Sequence, residues 1–128
     1  ALVAGTAAAA NAAAPPAAVP GTRPRVYVVW HKMSDLRIHD HEPLSRAHLA
    51  IPRLPVVHLH AFDPFWFGKT RIGGFPKTGA LRAAFWIDCV AELRDSLRQR
   101  GQDLFVRHGC SAAEALQALA AEVDVARA

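Results

Sequence analysis

The sequence predicts an α/β fold: an open parallel sheet with crossover helices, incomplete at the C-terminus. Three observations carry this. Runs of β-branched and aromatic residues alternate with segments of helical period, and the first run is apolar on both faces, as parallel strands are. The length, 128 residues, suits one domain and one modest core. No uninterrupted apolar run could cross a bilayer, which argues against a transmembrane protein. Two cysteines, Cys89 and Cys110, cannot build a disulfide framework or a four-thiolate zinc site, so a reduced intracellular or organellar protein is expected. The net charge is +4, from 15 basic and 11 acidic residues. Arginines are scattered rather than clustered, which suits a solvated surface better than a nucleic-acid track.

The elements follow in order. Residues 26–30, Val-Tyr-Val-Val-Trp, read as a strand buried on both faces. A polar loop, residues 31–41, leads to a helix opened by Glu42-Pro43, with proline suited to the first helical position. Residues 54–62 read as a second strand, with Pro55 marking its entrance. After a long connection, Leu81, Phe85, Cys89, Leu93 and Leu97 step by four along the clearest helix, and Gly101 sits where such a helix would stop. Leu104-Phe105-Val106 is a third strand. Ser111 and Glu114 form a capping-box pattern, and Leu116, Leu119, Ala120 and Val123 then share one helical face. Strand and helix alternate three times, a Rossmann-like order, and the chain is expected to stop after the last helix, short of the strand that should come next.

Residues 1–24 differ in kind: alanine-rich, acid-free, and interrupted by Pro15, Pro16, Pro20 and Pro24. They read as a disordered leader or linker ahead of a domain over residues 25–128. Two explanations stand beside each other, a transit peptide for chloroplast or mitochondrion and a plain linker.

Familiar motifs mostly fail. Gly68-Lys69-Thr70 lacks the first P-loop glycine, since Asp63 stands there, and no GxGxxG follows the first strand. His58 and His60, two apart on a strand, share a face as zinc ligands can, but no third ligand is supplied and partly buried histidines are the favoured reading. No metal site or catalytic residue is assigned. The stronger constellation is Lys32, Asp35 and Arg37 beyond the first strand, with Asp63-Pro64 ending the second. Open α/β sheets bind ligands at that edge, although a structural salt-bridge set explains the same charges equally well.

These residues also carry a family resemblance. Val28-Val29-Trp30, then Asp35-Leu36-Arg37-Ile38-His39-Asp40-His41-Glu42-Pro43-Leu44, resembles the opening of the photolyase/cryptochrome family. The second strand ending in Asp63-Pro64 is similar to the family's DP pair. Phe75-Pro76-Lys77-Thr78-Gly79, leading into Leu81-Arg82 and Phe85, resembles the cryptochrome-DASH branch. Two departures are visible: the stretch between Trp30 and Asp35 is one residue longer than usual, and His41 stands where asparagine is usual.

The resemblance implies the α/β antenna domain of a blue-light flavoprotein. Such a domain houses an antenna pigment, often methenyltetrahydrofolate, which passes energy to FAD in a separate helical domain. The flavin then donates an electron that splits a cyclobutane pyrimidine dimer, in DASH members preferentially in single-stranded DNA. The expectation is a part of such a protein, inactive alone and monomeric, with the helical FAD-binding domain as its partner and DNA reached only through the whole protein. Lys32, Asp35, Arg37, Asp63 and Pro64 are the candidate cofactor-binding residues. Phe65, Trp66 and Phe67 are candidates for the interdomain surface, and Lys77, Thr78, Arg82 and Phe85 for fixing the long loop or its packing. Two rival readings are a free-standing α/β nucleotide- or partner-binding module and a histidine-bearing metal-binding protein.

Overall fold

A computed structural model describes residues 22–128; the leader expected over residues 1–24 lies almost wholly outside them. The chain order is β1 (Arg25–Trp30), α1 (Glu42–Leu49), β2 (Val56–Phe62), a short 3-10 turn (Pro64–Phe67), α2 (Ala80–Arg98), β3 (Leu104–His108), α3 (Ala112–Glu122) and β4 (Asp124–Arg127). All strand pairs are parallel and the sheet order is β3-β2-β1-β4. This is the expected α/β architecture with one strand more than the sequence reading placed.

Parallel strands need crossovers, and here α1 and α2 pack on one face of the sheet and α3 on the other. The two cores follow from that arrangement. Val26, Val28, Leu59 and Ala61 pack with Ala115, Leu116 and Leu119 of α3 on one side. Trp86, Val90, Leu93 and Leu97 of α2 close over Leu104 and Val106 on the other, joined by Leu36 and Leu44. Strand alternation thus sends Leu59 and Ala61 to α3, and His58, His60 and Phe62 to the opposite face.

The stripe expected on α2 is corrected. Leu81 and Phe85 are 90% and 69% exposed, while Trp86, Val90, Leu93 and Leu97 are buried. A strict step of four drifts about 40° per step against a period of 3.6, so a five-member series winds nearly half-way round the helix. Spacing 86-90-93-97 stays on one face. Cys89, expected in the core, is half-buried.

The end of the chain is also corrected. Val123 packs on the same core as Leu116 and Leu119, but it does so as the extended C-cap of α3 rather than as a helical residue, and β4 follows at once beside β1. Ala120, expected on that face, is exposed. The capping box itself forms: Ser111 Oγ accepts from Glu114 N at 3.2 Å, and Glu114 Oε2 accepts from Ser111 N at 2.7 Å. Gly101 leaves α2 with φ +73, a left-handed conformation that glycine adopts at low cost. Just beyond it Asp103 accepts from Arg94 and Arg98, each at 3.0 Å, which holds its carboxyl well below the usual carboxylate range. Among the described residues no helix is long and apolar enough to cross a membrane.

Candidate functional site

The chain leaves β1 towards β2 on one side and returns as β4 on the other, so the topological switch point lies at the carboxyl end of β1. Trp30 pairs with Leu59, and His31 N donates to Leu59 O at 2.8 Å, so the loops leaving β1 and β2 start side by side. Lys32, Asp35 and Arg37 lie on the first loop; Asp63 and Pro64 lie just past the second strand.

Within that rim the predicted residues form two arrangements. Lys32 Nζ lies 3.5 Å from Asp35 Oδ2, and Asp35 N donates to Lys32 O at 3.0 Å. Arg37 turns back, donating through Nε and Nη2 to Asp40 O at 3.2 and 3.1 Å. Asp63 caps the 3-10 turn, accepting from Phe65 N at 2.8 Å, with Pro64 in its first turn. Among the described residues no hydrogen bond or ion pair joins Asp63 to Lys32, Asp35 or Arg37. Of the five, Pro64 lines a cleft: about 400 Å³, apolar, shared with Phe62, Phe67, Ile87, His108 and Gly109 at the ends of β2 and β3. A larger cleft of about 630 Å³ lies elsewhere, between α1 and the β1–β4 face, and none of the five lines it.

Beneath the first loop is a group the sequence reading did not assemble. His31, His58 and His60 are at most 1% exposed, and His41 is 5% exposed. His58 Nδ1 is 3.1 Å from His31 Nε2, and His58 Nε2 is 3.2 Å from His48 Nε2 on α1. His31 Nδ1 faces Asp35 O at 3.4 Å. His60 Nδ1 is 2.7 Å from His31 O, and its Nε2 accepts from Trp86 Nε1 at 3.1 Å. His41 Nδ1 accepts from Leu44 N at 3.1 Å, capping α1.

Burial pushes the His31 and His58 rings down to about 4 and about 3, with neighbouring histidines adding to the effect. Burial also lowers His48 and His60. His58 and His60 do share a face, but their nitrogens point to different partners, and the described residues hold no metal-binding group of three. The paired histidines are fully rather than partly buried. Their partners were detectable in outline, because His41 and His48 are seven apart and so lie on one side of α1.

The remaining motif residues fix the long loop. Lys69 pairs with Pro76, and Lys77 N donates to Gly68 O at 2.9 Å, so Gly68-Lys69-Thr70 opens a hairpin-like turn and no helix. Lys77 Nζ sits over the Phe65 ring at 3.2 Å, and Arg82 reaches Met33 on the first loop. Thr78 is buried, and its hydroxyl has no hydrogen-bond partner among the described residues. Phe65, Trp66 and Phe67 are exposed, Phe67 also stacking on buried Trp86.

The sequence pattern of the DNA photolyase family matches residues 27–128, the whole of this fold but for the first two residues of β1. The chain belongs to that family. Among family relatives, it is 48% identical over 102 residues to Cryptochrome DASH of Gloeobacter violaceus, covering 80% of this chain and 19% of the relative. It is 43% identical over 84 residues to Cryptochrome DASH, chloroplastic/mitochondrial, of Solanum lycopersicum, covering 66% of this chain and 14% of that one. Blue-light photoreceptor PHR2 of Arabidopsis thaliana is 46% identical over 86 residues, covering 66% of this chain and 18% of that one. The chain thus spans a fifth or less of the length of these photolyase-family relatives.

Proposed function

We propose that this chain is the antenna-binding α/β part of a DASH-type cryptochrome/photolyase that uses blue light to repair cyclobutane pyrimidine dimers, with single-stranded DNA the preferred substrate. The observation that carries the reading is the family match over the whole sheet, together with 48% identity to a cryptochrome DASH. In this account the chain is inactive alone, is monomeric, and meets DNA only as part of the whole flavoprotein. An organellar destination is supported by relatives named chloroplastic/mitochondrial.

The residues present suit a planar anionic pigment such as methenyltetrahydrofolate. Lys32 and Arg37 offer exposed cations at the sheet's carboxyl edge, and Pro64 opens on an apolar cleft with Phe62 and Phe67. Lys32 and Arg37 would hold carboxylates, Asp35 would orient Lys32, and Asp63 would set the position of Pro64 through its cap. The pigment, when bound, supplies near-ultraviolet and blue absorption. FAD is not assigned to this edge, where no glycine-rich loop follows β1 to make a Rossmann-type dinucleotide site. It belongs to a helical partner domain.

That domain is also the proposed partner of Phe65, Trp66 and Phe67. Residues 64–87 contain no acid but carry Lys69, Arg71, Lys77 and Arg82 beside exposed aromatic rings, which suits an apolar partner face with acidic margins. The test is direct titration of the 128-residue chain with methenyltetrahydrofolate, followed by absorbance. Saturable binding, weakened about tenfold or more when Lys32 and Arg37 are both replaced by alanine, supports the reading. No binding, or binding indifferent to both cations, removes the rim assignment.

A further inference from the structure

The histidines under the rim obey a proton count. Each nitrogen-to-nitrogen contact in the chain His48–His58–His31 needs one hydrogen between its two atoms, and His31 Nδ1 needs another to donate to Asp35 O. Three protons therefore satisfy three neutral rings: on His31 Nδ1, His58 Nδ1 and His48 Nε2. A fourth has one place to go, His48 Nδ1, on the half-buried ring of α1. A fifth sets two N–H groups against each other and breaks the chain. His60 is bound by the same rule, donating to His31 O and accepting from Trp86, and His41 must keep Nδ1 bare to cap α1.

We propose that the His48–His58–His31 chain is an acid-operated latch, holding α1 and the loop of residues 31–41 on the sheet and releasing both when a second positive charge enters. Lys32, Asp35 and Arg37 ride on that loop, so the latch regulates the rim. Only this last consequence rests on the proposed pigment site; the latch itself rests on the ring contacts.

Among the described residues no carboxylate makes a hydrogen bond or ion pair with the rings, and the charge of Asp35 is the weakest of the influences acting on His31. From the loop, Asp35 presents its carbonyl while its carboxylate pairs with Lys32. From α1 come His41 and His48, while Glu42 and Arg46 pair with each other at the surface. From β2 come His58 and His60, and from α2 the uncharged indole of Trp86. A second charge among these rings thus lacks a paired counter-ion and loses a hydrogen bond as well.

The experiment uses the 128-residue chain, observing imidazole nitrogens and amide exchange between about pH 7.5 and about pH 4. At the upper end, His31, His58 and His60 should carry their proton on Nδ1, and His41 and His48 on Nε2. On acidification, amides of the loop and α1 should lose protection at higher pH than those of α3. In His58→Gln, the amide keeps one donor and one acceptor but no longer titrates, and the loop's opening midpoint should fall by about half a pH unit or more. The opposite tautomer on His58, a single midpoint for every element, or an unchanged midpoint in His58→Gln overturns the latch. Should that variant not fold, the tautomers and exchange order of the unsubstituted chain decide. A loop that opens early while folate binds at no pH leaves the latch standing and removes the rim assignment.

Discussion

The indole N–H of Trp86 donates to His60 Nε2 at 3.1 Å, and both side chains are buried. This contact ties α2 to β2 within the core under α2, while the other nitrogen of His60 holds His31 O at the foot of the rim loop. Packing and rim geometry therefore meet at one ring. Trp86→Phe keeps the apolar contacts with Phe62 and Phe67 but leaves Nε2 of His60 unpaired, at a cost of about 2 kcal/mol in unfolding free energy. Urea unfolding measures it; a change below about 0.5 kcal/mol contradicts the role given to this bond.

Stability should fall steeply on the acid side of neutrality. The folded state keeps His31 and His58 neutral down to about 4 and about 3, whereas in the unfolded chain they take up protons near 6.5. The unfolded state thus binds more protons below that value, so their contribution costs nothing above about 6.5 and grows as pH falls. Each histidine adds about 1.4 kcal/mol per pH unit between those limits, before levelling off below its folded value. Unfolding free energy measured between pH 7 and 5 should show that slope; a flat profile would contradict burial of neutral rings.

Removing the cap of α3 should be a smaller effect. Ser111→Ala abolishes the acceptor for Glu114 N and should cost about 1 kcal/mol, with the sheet intact. Thermal unfolding with a circular-dichroism readout checks both points.

Gly73 is the tight position of the long loop. Its φ is +84, and a Cβ there would overlap the Phe75 ring. Gly73→Ala should open the Lys69–Pro76 pairing and raise proteolytic cutting within residues 68–78, while the unfolding midpoint of the sheet stays nearly unchanged. Equal cutting of the two proteins would count against it.

Much of the fold was legible because local signals agreed with the global one. Pro43 in the first turn of α1, Pro55 at the entrance of β2 and the Ser111–Glu114 box all act where their chemistry suggests. β4 was missed because four residues show barely one alternation, and Val123 also continues the helical period of Leu116 and Leu119. Leu81 and Phe85 misled because apolar side chains bound for a surface look the same as those bound for a core.

Topology alone puts the rim residues at the carboxyl ends of β1 and β2, and the structure has them on those two loops. What sequence could not supply was their pairing: Arg37 turns to the Asp40 carbonyl, and Asp63 serves its own turn. The histidine chain was hidden for a similar reason. His31, His48 and His58 come from three elements, and only parallel register with a folded-back α1 brings them together.

The central claim, that an anionic pigment sits on the rim at the ends of β1 and β2, is tested most directly by mapping amide shifts as methenyltetrahydrofolate is added to the 128-residue chain. The account predicts shifts confined to Lys32, Asp35, Arg37, Asp63 and the residues flanking Pro64. Shifts gathered instead around Arg25, Arg46 and Arg127, which line the larger cleft between α1 and β4, would contradict it.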